Sequence, residues 1–245
     1  RDADGEWSDE VLVTEYSPGI DGLNLTTNTS GVASFMYYDQ AVEAPVLAET
    51  SSFGVVDETV LEVSEFGPVG VINDLEAGSH DDSLHMAWHD PYGSTGTIGQ
   101  TSYMNSDDED IEWSRIEPIA ISIDVLSDGT PCIATSNWYD QEIWYGCRVS
   151  EPWWMSSAEE VLLTGYNLYV SLIHLSDGTP YIASFDAITG NLSVSVQREG
   201  EWSTEVIASM DTTGFDPVIA VDALDRVHIG YFSVTDGTLH YAVGR

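Results

Sequence analysis

Along most of the chain, apolar and polar residues alternate with a period of two, in short runs broken by clusters of Gly, Asp, Asn, Pro and Ser. That period marks half-buried strands, and no stretch of any length carries the helical period. Four such runs follow one another at about 168–175, 181–185, 192–197 and 204–209. The run from Ser171 reads S-L-I-H-L-S-D-G-T-P-Y-I-A-S-F-D, and the run from Ile121 reads I-S-I-D-V-L-S-D-G-T-P-C-I-A-T-S-N. Fainter copies begin at Val218, Leu84 and Phe35. Aligned on the apolar residue before the small one, Phe35, Met86, Ile133, Ile182 and Ile229 fall at intervals of 51, 47, 49 and 47 residues.

Four short strands in a repeat of about 48 residues is the propeller pattern, each repeat being one small twisted sheet. The expected fold is all-β: a single five-bladed β-propeller over 1–245, with four antiparallel strands per blade. Blade 1 spans about 20–66, blade 2 67–118, blade 3 119–165, blade 4 166–213 and blade 5 214–245. The fifth repeat stops after its third strand. Its missing E-W-S-x-E-V strand stands at the other end of the chain, as Glu6-Trp7-Ser8-Asp9-Glu10-Val11. A strand over about 6–16 is therefore expected to close the last blade, which leaves no long exposed edge.

The S-D-G-T-P-Y-I-A-S-F-D block followed by G-N-L-S-V resembles the extracellular propeller repeats related to BNR (Asp-box, sialidase-like) repeats. The likeness is clear in repeats three to five and weak in one and two. No tryptophan ends the 126–131 or 175–180 block, so the resemblance implies a fold and carries over no catalytic site.

Charge narrows the partners. Forty-two acids face six bases, a formal charge of −36, and every base is an arginine. Such a surface repels phosphate backbones and anionic bilayers, so neither nucleic acid nor membrane insertion is expected. No run of apolar residues is long enough to span a bilayer. A sialidase mechanism needs clustered arginines, and Arg115, Arg148, Arg198 and Arg226 align to outer strands and turns.

Cys132 and Cys147 fall opposite each other if residues 138–141 turn a hairpin, which suits a disulfide; two buried thiols are the alternative. Three N-x-S/T sequons, at Asn24, Asn28 and Asn191, also lean towards an oxidising, secreted or cell-surface setting. The chain, starting at Arg1, reads as a piece of a longer precursor.

In a propeller the second strand of each blade ends near the mouth of the central channel. Asp39, Asp90, Asn137, Asp186 and Ser233 occupy that place, with Trp88, His89, Trp138 and Tyr231 close by. The functional reading is a polar, aromatic-rimmed ligand site. The plainer one is that each Asp ties down its own turn and the aromatics pack between blades. The leading expectation is a non-catalytic extracellular module binding a glycan or a protein. A structural part of a surface assembly is one alternative. A propeller glycoside hydrolase with Asp90 and Asp186 as its carboxylate pair is the other. No cofactor is expected. The clusters around His80, Asp81, Asp82 and His85 and over 107–110 read as exposed loops, with loop-bound calcium as the best metal guess.

Overall fold

The computed structural model describes residues 20–50, 56–61, 70, 72–78, 81–91, 100–114, 118–137, 141–148, 159–161, 167–209 and 213–244. They form strands only, in five antiparallel sheets whose strands run in chain order. Sheet 1 holds β1 (Ile20–Thr27), β2 (Ala33–Asp39), β3 (Ala44–Thr50) and β4 (Val56–Val60). Sheet 2 holds β5 (Asn73–Ala77), β6 (Leu84–Asp90), β7 (Gln100–Asn105) and β8 (Asp108–Ser114). Sheet 3 holds β9 (Pro118–Val125), β10 (Pro131–Asn137), β11 (Ile143–Cys147) and β12 (Glu159–Val161). Sheet 4 holds β13 (Asn167–His174), β14 (Pro180–Asp186), β15 (Asn191–Arg198) and β16 (Glu201–Ser209). Sheet 5 holds β17 (Thr213–Val221), β18 (Val227–Ser233) and β19 (Thr238–Val243). This is a β-propeller. The strand expected over 6–16 lies outside the described residues.

The repeat seen in the sequence is a repeat of register. Phe35 pairs with Leu25, Met86 with Leu75, Ile133 with Ile123, Ile182 with Leu172 and Ile229 with Ile219, the same rung in every sheet. The S-D-G-T block is the turn from first to second strand. Gly129 and Gly178 take φ of +86° and +83°, a left-handed conformation suited to glycine. Asp128 and Asp177 each accept the amide of the threonine two residues on, at 2.9 Å. Each block thus stops one strand and starts the next.

The sheets pack face to face through apolar joints. Trp88 and Met36 lie in the cluster between sheets 1 and 2, Ile133 and Ala87 between sheets 2 and 3, Ile143 and Leu172 between sheets 3 and 4, and Val194 and Ile229 between sheets 4 and 5. A second device links the innermost strands β5, β9, β13 and β17. Asp74 Oδ2 accepts the amide of Ile123 at 2.9 Å, Ser122 Oγ that of Leu172 at 3.0 Å, and Ser171 Oγ that of Ile219 at 3.2 Å. These three acceptors share one position of the repeat, one residue before the anchor rung.

Between sheets 5 and 1 the joint is different. No such bond joins β17 to β1 among the described residues, and apolar side chains stay open on both sides. Leu23 and Leu25 of β1 are 65% and 59% exposed; Val218 of β17 and Leu239 of β19 are 63% and 81% exposed.

Cys132 and Cys147 are directly paired on β10 and β11 and form a disulfide, with Cα atoms 4.0 Å apart. The hairpin geometry expected from the sequence is the one observed.

Candidate functional site

The five innermost strands converge on one cavity of about 510 Å³ at the end where they begin. Its polar and aromatic lining includes Asn24, Asn73, Asp74, Ser122, Tyr169 and Asp216. Alternation explains why these side chains share an outlook. Asn24, Asp74, Ser122, Ser171 and Val218 occupy the same position on successive inner strands, so the repeat aims all five alike. What differs between sheets is the chemistry carried there. Sheets 3 and 4 carry a hydroxyl, whereas sheet 2 carries the carboxyl of Asp74.

That carboxyl is unusual. Burial raises the Asp74 pKa to about 6, outweighing the bonds from Ile123, Leu75 and Ser122 that favour the charged form; the charge of Asp124 adds to the rise. Two residues deeper on the same face of β5, Glu76 is raised to about 7 by burial and by the charges of Asp124 and Asp74. Asp124, on β9, receives the amide of His174 at 2.6 Å and pairs with His174 Nδ1 at 2.7 Å. His174 Nε2 meets Tyr145 Oη at 2.9 Å, and Tyr145 Oη lies 2.9 Å from the disulfide sulfur of Cys147. Tyr169, tilted 45° against Phe185 at 6.4 Å, gives the cavity an aromatic face. Asp216, exposed and with φ of +51°, contributes a second carboxyl from sheet 5.

None of the described residues expected from the sequence to bind a ligand is among this cavity's lining, although the sequon residue Asn24 is. Asp39 Oδ1 accepts the amide of Ala41 at 2.7 Å, and Asp186 accepts the amide of Ile188 and the hydroxyl of Thr189, at 3.0 and 2.5 Å. Both therefore tie down the turn that follows their strand. Asp90 is buried at the end of β6 and accepts the side-chain amide of Gln100 at 3.2 Å. Asn137 ends β10, its own amide bonded to Glu142 O. Trp88 is wholly buried, so it packs the joint of sheets 1 and 2 rather than offering a face to solvent. His89 is half-buried; its Nε2 has no hydrogen-bond partner, and burial pushes its pKa down to about 4. Tyr231 stacks on His240 at 5.2 Å. Trp138 lies outside the described residues.

Of the sequons, Asn24 lies on the inner strand, with Nδ2 donating to Asn73 O and Oδ1. Asn28 caps the β1–β2 turn through Oδ1, and Asn191 starts β15. In the suspected metal cluster, Asp81 holds Ser83 and Asp82 holds Thr29 of the neighbouring sheet, while His85 is buried between Ser83 and Tyr103; His80 lies outside the described residues. The one metal-type grouping among the described residues, Cys132, Cys147 and His174, has its sulfurs committed to the disulfide.

Missing Asp74, Asp216 and Tyr169 has a definite cause. The sequence reading followed what recurs, the acid at the end of the second strand. The signal lay in what fails to recur, an Asp in β5 where the aligned residues of β9 and β13 are Ser.

No protein-family profile matches this chain, so the Asp-box resemblance has none behind it, and no curated protein matches either. Solved structures do. The chain is similar to the Hadza microbial sialidase Hz136 at TM-score 0.61 and 12% identity, over 93% of this chain and 56% of the sialidase. It is similar to the Penicillium chrysogenum α-L-arabinanase complexed with arabinobiose at TM-score 0.60 and 12% identity, over 95% of this chain and 80% of that one. The Aleuria aurantia lectin follows at TM-score 0.58 and 6% identity, over 91% and 74%. Glycoside hydrolases recur among the matches, including an α-L-arabinofuranosidase, an exo-β-1,3-galactanase and a GH43 β-1,3-galactosidase. This predominance corrects the leading expectation of a non-catalytic binding module and favours the hydrolase alternative. At these identities, what the chain shares with them is the β-propeller fold.

Proposed function

We propose that the chain is a glycoside hydrolase that works in the cavity at the propeller axis, outside the cell, on uncharged sugars. The observation that carries this reading is Asp74: a carboxyl that departs from the repeat, faces the cavity and holds its proton to about pH 6. A glycosidic bond breaks when one carboxylic acid protonates the leaving oxygen while a second carboxylate activates water or attacks the anomeric carbon. Asp74 takes the first role, and Asp216 offers the second from another wall of the cavity. Tyr169 stacks on a sugar face. Among the described residues the lining contains no arginine, and the net charge of −36 repels anionic sugars, which disfavours sialic acids and uronates. The disulfide suits an oxidising compartment.

The test is hydrolysis of nitrophenyl arabinosides, xylosides and galactosides and of arabinan and β-1,3-galactan, between about pH 5 and 7, where an acid of this kind is matched to its task. Asp74→Asn is expected to lower kcat by roughly 10²-fold or more, the contribution of a positioned general acid, with the melting curve still cooperative. A chain that cleaves none of these, or an Asp74→Asn variant as active as the parent, removes the reading.

A further inference from the structure

The disulfide does not stand alone at the joint of sheets 3 and 4. Cys132 and Cys147 face each other on β10 and β11, and His174, ending β13, reaches them from the next sheet. The two sulfurs and a ring nitrogen of His174 all lie within 4.8 Å of one another. The imidazole is already oriented. His174 Nδ1–H donates to Asp124 Oδ2 at 2.7 Å, and the amide of Val125 holds Asp124 Oδ1 at 2.9 Å, so the lone pair is on Nε2. Nε2 accepts the hydroxyl of Tyr145 at 2.9 Å, and that hydroxyl lies 2.9 Å from Cys147 Sγ; the free nitrogen therefore faces the sulfurs. The strands are fixed without the S–S bond. Four further rungs, from Ile133–Gly146 to Ser136–Ile143, pair β10 with β11, and Cys132, Tyr145 and Leu172 share one apolar cluster across the joint. His174 and Asp124 also line a cavity of about 530 Å³ where the inner strands finish, the opposite end from Asp74, and Asp128, Asp177, Asp222 and Asp225 complete its acidic lining.

We propose that opening this disulfide creates a site for a thiophilic divalent cation of the zinc class, held by the Cys132 and Cys147 thiolates and His174 Nε2, with water or the Tyr145 hydroxyl in a fourth position. A dithiol gives two electrons to the S–S bond and becomes a disulfide itself; the cation then displaces the protons of both cysteine thiols. Two thiolates and an imidazole are the donors zinc prefers, and the two sulfur charges balance that of the ion in a buried joint. Around a tetrahedral centre, sulfurs at about 2.3 Å stand about 3.8 Å apart, which opposed strand residues reach by side-chain rotation. The acids of the cavity concentrate cations beside His174. The joint is thus fastened covalently under oxidising conditions and by a metal under reducing ones. The site uses neither Asp74 nor Asp216 and stands apart from the catalytic reading.

Cobalt titration of the full chain tests it, after reduction with a phosphine and removal of the excess without oxygen. The reduced chain is expected to bind a single ion, with thiolate-to-cobalt charge-transfer absorption and the intense visible bands of four-coordinate cobalt, and to release about two protons. Zinc is expected to abolish both bands. The oxidised chain, with the same 42 acids, is expected to show neither. Asp124→Asn is expected to weaken binding about 10- to 100-fold, and His174→Ala to weaken it more. Both variants keep the cysteines, so cooperative melting before reduction separates loss of a ligand from loss of the fold, and the spectra of the unaltered chain decide without them. Cobalt bound without a thiolate band overturns the proposal, as does a folded His174→Ala chain with the parent's affinity and spectrum. A reduced chain that unfolds and is not restored by zinc overturns it as well.

Discussion

Asp74 and Glu76 stand two residues apart on β5, and for both the ionised form is the costly one. Their pKa values of about 6 and 7 lie above the ordinary 3.8 and 4.5, with burial the largest cause in each. Between about pH 4 and 7 these two carboxyls therefore hold protons that the unfolded chain has released, and their own contribution to stability falls as pH rises; His85 and His89, pushed down to about 4 by burial, act in the opposite sense up to about pH 6.5. Asp222 and Asp236 are held low by bonds from Arg226 and from Ser233 and Thr238, so their contribution disappears on acidification. Relative to the unaltered chain, Glu76→Gln is expected to gain melting temperature progressively as pH rises from about 5 to 8. A difference between the two chains that stays constant over that range would contradict this. The shifts were not legible in the sequence, where Asp74 and Glu76 are two of 42 acids and Asp74 is marked only by standing where β9 and β13 carry Ser. Burial belongs to the assembled ring, not to a residue's neighbours along the chain. The disulfide was legible, because a hairpin's register can be counted from its turn, and Cys132 does face Cys147.

At the scale of the strand, the bonds from Ser122 to Leu172 and from Ser171 to Ile219 carry a prediction of their own. Truncating either serine to alanine leaves an inner-strand amide unpaired at a sheet joint, which costs about 1–3 kcal/mol. Chemical denaturation is expected to show a loss of that size for Ser122→Ala, whose hydroxyl bond is buried, and a smaller one for Ser171→Ala. No loss in either would mean that water replaces the hydroxyl. The strands themselves were readable from alternation and turn residues, and the residues from Phe35 to Ile229 aligned by spacing alone occupy one rung of every sheet. The candidate cavity was not readable, because the recurring acids of the second strands drew the eye, and of these Asp39 and Asp186 spend carboxylate oxygens on the backbone two residues ahead.

For the whole molecule, a charge of −36 on 245 residues is a standing repulsion. Screening shortens from about 10 Å at 0.1 M salt to about 3 Å at 1 M, so neighbouring sheets repel less as salt rises. The melting temperature is expected to climb between about 0.1 and 1 M sodium chloride, with sucrose at matched osmolality giving a smaller rise. Equal responses to the two would assign the effect to solvent exclusion instead. The most sensitive place is the joint of sheets 5 and 1, where apolar faces stand open and no inner-strand bond bridges the gap among the described residues.

The ties from β5 to β9, β9 to β13 and β13 to β17 have a sense of direction, since a side chain accepts and a main-chain amide gives. Every amino acid except proline supplies that amide, so the receiving sheet is free to change its letters without releasing its neighbour. Only the giver of the oxygen is constrained, and Asp or Ser both meet the requirement. A lock that asks for one suitable side chain rather than a matched couple lets sheets drift apart in sequence while staying fastened. That fits a molecule whose architecture is shared with others at 12% identity or less.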